Sequence, residues 1–191
     1  MKNGKVPPGS DSCEDNDGFT LALAGYLLNL DLQEARGVAN LVTTDATAMS
    51  HFPVQNIILS NFVNNVNDPI LAAKNTILKD QPQVAAEMDQ VLAAVKEGLT
   101  VNEIVKKFGK ACGLPGSFQG ALASVLISPD YVTAVRANIL AGGDCCSRAN
   151  YIGAAFGAKF GIEAIPMEWI EKVSNIGTIL ENAVKVFASS K

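Results

Sequence analysis

Gly142-Gly143-Asp144-Cys145-Cys146-Ser147-Arg148-Ala149 runs directly into Asn150-Tyr151-Ile152-Gly153-Ala154-Ala155-Phe156-Gly157-Ala158. Adjacent glycines favour a turn, Asp144 is of a helix-capping type, and the residues that follow have helical character. Gly153, Gly157 and Gly161 recur every four residues, which puts them on one face of that helix, and Ala154 and Ala158 widen the face. A glycine inside a helix costs roughly 1 kcal/mol relative to alanine. Something must offset that cost, and the expected offset is close approach of a neighbouring helix. A membrane helix dimer uses the same repeat, but Arg148 and Lys159 argue against that reading.

Working outward, the chain reads as consecutive helices. Phe19, Leu21, Leu23, Tyr26, Leu27, Leu28 and Leu30 give a first apolar helix, and Asp31-Leu32-Gln33-Glu34 opens a second. A longer one is expected from Ala46 to Val66, burying Phe52, Ile57, Ile58, Leu59, Phe62, Val63 and Val66, with Pro53 tolerated near its start. Asp68-Pro69 and Ser128-Pro129 each pair a cap with a first-turn proline, and Pro166 starts a helix before Trp169. Thr100-Val101-Asn102-Glu103 is a full capping box. In mid-chain Gly113 reads as a helix stop, Pro115-Gly116 as a turn and Ser117 as a cap. No stretch alternates apolar and polar residues over strand length between turn signals. The fold class is therefore all-α, with about nine or ten helices. Residues 1–17, polar and acidic, read as an extended or disordered lead-in, and residues 18–191 as a single domain.

Composition narrows the function classes. The 191 residues suffice for one domain with its own core. A formal charge of −4 and the lack of a polybasic run argue against a nucleic-acid partner. No long apolar run indicates a membrane span, and residues 1–10 do not form a secretory signal. Cys13, Cys112, Cys145 and Cys146 have neither disulfide-framework nor zinc spacing. The thiols are read as reduced and the protein as intracellular and cytoplasmic. The Cys145-Cys146 pair is either redox-active or merely two small residues at a helix start. His51, the single histidine, is read as a packed or surface residue.

Asp144 has two readings. It is either a helix cap, with a possible ion pair to Arg148 four residues on, or a carboxylate held at a helix start to bind a divalent cation. Glu14-Asp15-Asn16-Asp17 is a second acidic cluster at a helix start. It reads as a solvated lead-in with Asp17 as cap, or as the other half of an oxygen-ligand site.

The run from Gly142 to Ser147, with Ala149, Gly153, Ala154, Gly157, Ala158 and Gly161, resembles the C-terminal signature of the ADP-ribosylglycohydrolase family. That signature is Gly-Gly-Asp-x-Asp-Thr/Ser before a Gly/Ala-rich helix. Ile162 to Trp169 continues the resemblance, which is strong over residues 138–172. Gly-Gly-Asp-x-Cys-Ser-Arg looks most like the family's crystallin-like branch, which includes the jellyfish J-type crystallins and selenoprotein J. Phe108 to Gly116 also resembles that branch, and Glu14-Asp15-Asn16-Asp17 can be laid on the family's Thr-Asp-Asp-Thr motif. The resemblance implies a compact multi-helix orthogonal bundle with two Mg²⁺ ions at its centre. It implies hydrolysis of glycosidic bonds to ADP-ribose, with ADP-ribose or ADP-ribosylated protein as partner. On this mapping Asp144, Ser147, Asp15 and Asp17 are the metal-site residues.

Two departures bear on chemistry. Cys146 stands where the family carries its second C-terminal Asp, and Asn16 where the other motif has an Asp. A thiol is a poor ligand for a hard cation. The family's N-terminal Gly-Asp-Ala helix has no counterpart, so the domain reads as N-terminally incomplete. The expectation is one weak Mg²⁺ site or none, and weakened or lost hydrolase activity. One rival is an active Mg²⁺-dependent hydrolase for which Asp15, Asp17 and Asp144 suffice. The other is a non-enzymatic crystallin-like structural or ADP-ribose-binding protein.

Overall fold

In the computed structural model, residues 9–27 and 32–189 are described. They form α1 (Phe19–Leu27), α2 (Leu32–Ala39), α3 (Ala46–Val63), α4 (Pro69–Ile77), α5 (Pro82–Lys96) and α6 (Val101–Phe108). There follow α7 (Gly116–Ile127), α8 (Tyr131–Ala141), α9 (Cys145–Phe160), the single turn α10 (Met167–Ile170) and α11 (Ile176–Ser189). Leu28, Leu30 and the expected Asp31 cap lie outside the described residues. Those described contain no strand, only isolated bridges between Ser10 and Thr43 and between Asp15 and Gly113.

Several starts are set by the expected chemistry. Asp68 accepts from Leu71 N–H with Pro69 behind it, and Thr100 and Glu103 complete a reciprocal capping box. Others differ. Ser128 closes α7 instead of opening α8, whose cap is Asp130, accepting from Thr133 N–H at 2.8 Å. The helix before the mid-chain loop stops at Gly109, not Gly113, because Gly109 takes a φ of 127°. Ser117 is not a cap but lies within α7, fully buried. The long helix ends at Val63, and Val63 and Val66 are exposed, contrary to expectation.

The core is built on α7, which is buried nearly all round and packs on α5, α6, α8 and α9. α9 in turn packs on α3 and α8. Edge-to-face contacts link Phe19 to Tyr151, Tyr151 to Phe118, and Phe118 to His51. His51 is a packed residue. Its Nε2 lies 2.8 Å from Glu87 Oε2 and its Nδ1 2.7 Å from the Thr47 carbonyl, which ties α3 to α5. At the far end α11 exposes Ile179, Leu180 and Val184.

The close-approach expectation for α9 does not hold. A Cβ added at Gly153 or Gly157 would meet nothing within 4 Å, and Gly161 is the helix C-cap with φ 79°. The close approach lies instead at Gly120 of α7. A Cβ there would come within 2.9 Å of both Arg148 Cδ and Val105 Cγ2.

Candidate functional site

The glycine pair before α9 makes the turn that the sequence suggested. Gly142 and Gly143 have φ of 70° and 69°, and a Cβ on Gly143 would collide with the Lys110 backbone. The Asp144 N–H donates to the Lys110 carbonyl at 2.7 Å. Asp144 is the N-cap of α9, its Oδ1 accepting from the N–H groups of Cys146 and Ser147 at 3.1 and 3.2 Å. The cap expected of Asp144 is therefore present.

Arg148 does not pair with Asp144. The guanidinium is wholly buried and turns back on the chain. Its Nε donates to Asn138 Oδ1 at 2.7 Å, its Nη2 to the Gly142 carbonyl at 2.5 Å and its Nη1 to the Lys110 carbonyl at 3.5 Å. Asn138 Nδ2 donates to the Cys145 carbonyl at 2.9 Å. One side chain thus fastens the turn, the end of α8 and the loop after α6. Nothing in the spacing of Arg148 reveals this, because its acceptors are backbone carbonyls and an amide on other elements.

Residues 9–17, expected as part of a lead-in, are bound to the body. Gly9 N–H donates to the Asn40 carbonyl, Leu114 N–H to the Glu14 carbonyl, and Asn16 N–H to the Cys112 carbonyl. Residues Asn16–Gly18 form one 3-10 turn, and Gly18 is small because Phe52 stands directly beneath it. This turn brings the two acidic clusters together. The Ser147 hydroxyl donates to Asp17 Oδ1 at 2.7 Å across 130 positions of sequence. Asn16 Nδ2 donates to the Ser147 carbonyl at 3.2 Å, and Gln55 Nε2 to Asn16 Oδ1 at 2.6 Å.

Asp15 meets two thiols, one of which, Cys112, also feels the charge of Asp144. The Cys13 thiol lies 3.7 Å from Asp15 Oδ2, and the Cys112 thiol also hydrogen-bonds to that carboxylate. That bond, then burial and the nearby negative charge, push the Cys112 thiol above its ordinary range. All four cysteines are free, with Cys145 against the Asn138 carbonyl and Cys146 exposed. Gln55, absent from the sequence reading, is wholly buried, and its Oε1 has no partner among the described residues.

The geometry bears directly on metal binding. Among the described residues, no three His, Cys, Asp or Glu side chains are grouped so as to hold a metal ion. Asp144 Oδ1 serves two backbone donors, the Asp17 carboxylate accepts from Ser147, and Asp15 accepts from thiols. Cys146, at the position of the missing carboxylate, points no oxygen at the site. As placed, these residues do not fit a pair of Mg²⁺ ions.

Sequence comparison gives the class that this fold and turn define. The sequence model of the ADP-ribosylglycohydrolase family matches residues 20–191, and the chain belongs to that family. Crystallin J1A of Tripedalia cystophora is 36% identical over 126 residues, which are 66% of this chain and 38% of that protein. Crystallin J1B of the same organism is 28% identical over 134 residues, 70% of this chain and 41% of that one. The match thus spans well under half the length of either relative. A solved structure of an ADP-ribosylglycohydrolase-related protein complex superposes with a TM-score of 0.75, covering 99% of this chain and 65% of that one at 20% identity. The fold is all-α and of this family's type. No described helix is long and apolar enough to cross a membrane.

Proposed function

We propose that this chain is a crystallin-like member of the ADP-ribosylglycohydrolase family in which the Mg²⁺-dependent hydrolase chemistry is weakened or lost and the fold is kept. The observation that carries the reading is the 2.7 Å contact between the Ser147 hydroxyl and Asp17. Two residues that the family pattern assigns to metal satisfy each other instead. Asp144 supports the reading, since its cap bonds secure the start of α9 whether or not a cation is near. The departures at Cys146 and Asn16 remove negative charge from the same corner. Asn16 has a structural use there, bridging Gln55 and the Ser147 carbonyl.

Calorimetric titration tests this. Mg²⁺ and then ADP-ribose are added to the intact chain and to Asp144→Ala, alongside a release assay on ADP-ribosylated protein. The variant loses a cap worth about 1 kcal/mol, so its folding is checked by a thermal melt first. The expected result is at most weak Mg²⁺ heat, the same in both proteins, and at most trace release. Tight Mg²⁺ binding that vanishes in Asp144→Ala, or fast metal-dependent release, would restore the active hydrolase. Heat from ADP-ribose without release would favour an ADP-ribose-binding role, the form of the non-enzymatic reading that the resemblance to crystallins leaves open.

A further inference from the structure

His51 on α3 and Glu87 on α5 are a titratable pair whose side chains are only 1% and 8% exposed. Both ring nitrogens of His51 face an oxygen. Nδ1 lies 2.7 Å from the Thr47 carbonyl and Nε2 lies 2.8 Å from Glu87 Oε2. A carbonyl oxygen only accepts, so Nδ1 carries a hydrogen. The Ser50 hydroxyl, 3.3 Å from Nδ1, is turned to the same carbonyl, to which it donates at 2.7 Å. A neutral ring has one hydrogen, and with Nδ1 holding it Nε2 is left with a lone pair. A lone pair and a carboxylate oxygen do not meet at hydrogen-bond distance without a proton between them. The pair therefore holds one proton more than a neutral ring and a free carboxylate would.

The surroundings offer no substitute for that proton. Gln83 Nε2 donates to the other Glu87 oxygen at 3.2 Å, and Gln119 Nε2 donates to the Glu87 backbone carbonyl at 3.2 Å. Phe118 of α7 packs edge-to-face on the imidazole, and α3 from Ala46 to Val63 carries no Asp, Glu, Lys or Arg. The charged groups on neighbouring elements are engaged elsewhere. Lys74 of α4 pairs with Asp89, Arg148 of α9 with Asn138 and backbone carbonyls, and Asp17 with Ser147. Lys159 lies over the Phe62 and Phe160 rings, and Arg36 of α2 opens on the surface beside Ser50. Tyr151 reaches Phe118 and not the pair, and burial pushes its phenol up, so it stays un-ionised.

We propose that the proton shared by His51 and Glu87 is a pH-sensitive latch between α3 and α5. With it in place the two helices are bonded at this point. Without it a buried carboxylate loses its partner and faces an imidazole lone pair, and the contact becomes repulsive. An unfolded histidine releases its proton near about pH 6.5, whereas the folded pair keeps one. The latch therefore contributes in full below that pH, down to the carboxylate range, and its contribution is lost as pH rises and the folded pair gives up its proton.

Glu87→Gln separates a latch from ordinary packing. The glutamine amide brings its own hydrogen to Nε2, and its oxygen can still accept from Gln83, so the bond no longer needs a titrating proton. Urea unfolding of the full chain and of this variant is compared from about pH 6 to about pH 9. Relative to the variant, the parent's folding equilibrium constant should fall by up to about tenfold per pH unit, the limiting slope for one proton. His51 is the only histidine, so its ring nitrogens give one set of signals in the ¹⁵N-labelled parent. Nδ1 should stay protonated throughout, and the Nε2 signal should change over the same interval as the stability. Parallel pH profiles for parent and Glu87→Gln overturn the proposal. Should the variant fail to fold, the parent still decides: an Nδ1 without hydrogen at neutral pH, or a parent stability that does not follow the Nε2 signal, overturns it equally.

Discussion

At its N-terminus α9 is tied to three neighbouring elements, while further along the same helix a Cβ on Gly153 or Gly157 would meet no described atom. Asp144, Ser147 and Arg148 between them contact the α6–α7 loop, α8 and the 3-10 turn at Asn16–Gly18. Gly153 and Gly157 have no atom within reach of an added Cβ. Small residues therefore do two different jobs in one segment. Gly143 is required by positive φ and by the Lys110 backbone beside it, whereas Gly153 and Gly157 are not required by any described neighbour. Periodicity identifies a face, but only contact shows whether the face is used.

The largest expected effect is at the held end. Arg148 is a wholly buried cation whose three oxygen acceptors are all uncharged. Its desolvation is offset by those bonds and by a 3.7 Å contact of Nη2 with the Cys145 sulfur, and removing it takes these donors from Asn138 Oδ1 and the Gly142 carbonyl. Arg148→Met should therefore lose about 2–4 kcal/mol in urea unfolding. Arg148→Lys should recover little, because one ammonium cannot reproduce the fork. A loss below about 0.5 kcal/mol, within the range of ordinary surface substitutions, would mean that the turn holds itself and that the contrast between the two ends is only apparent.

What was legible in the sequence follows the same division. Caps were readable where the donor lies within three residues of the acceptor, as at Asp68, Thr100 and Asp144. Ser128 was misread because Asp130, two residues on, bonds Thr133 through both its carboxylate oxygens and takes the cap. The two acidic clusters, each at a helix start, were legible as segments that could meet in space, and Ser147 and Asp17 do meet. The roles of Gln55 and Arg148 were not readable, since their partners lie 39 and 10 positions away and belong to no motif. Nor could the sequence tell that Asp17 and Ser147 would satisfy each other, because a carboxylate and a hydroxyl of this spacing serve equally as ligands or as a bonded pair.

A middle-sized effect tests that pair. Ser147→Ala removes a hydroxyl from a buried position but leaves Asp17, which is exposed, free to take water. The cost should be about 1 kcal/mol. In a double-mutant cycle with Asp17→Asn, a coupling of about 0.5–1.5 kcal/mol is expected in metal-free buffer. Coupling that emerges only when Mg²⁺ is added would show that the two residues act through a cation and not through their own bond.

The smallest effect is expected at the open face, and its sign is informative. Gly153 lies inside α9 with room for a methyl group, so Gly153→Ala gains helix propensity without a clash. Stability should rise by up to about 1 kcal/mol, which raises Tm by about 2–4 °C in a chain of this size. Gly157→Ala should behave alike, since it too meets nothing. Gly120→Ala supplies the opposing control, because its methyl would press on Arg148 and Val105 and should destabilise. If Gly153→Ala destabilises as Gly120→Ala does, something in solution lies against the face, and the glycines are close-packing residues after all. Melts repeated over a range of protein concentrations would then show whether that neighbour is a second copy of the chain, since only association makes Tm depend on concentration.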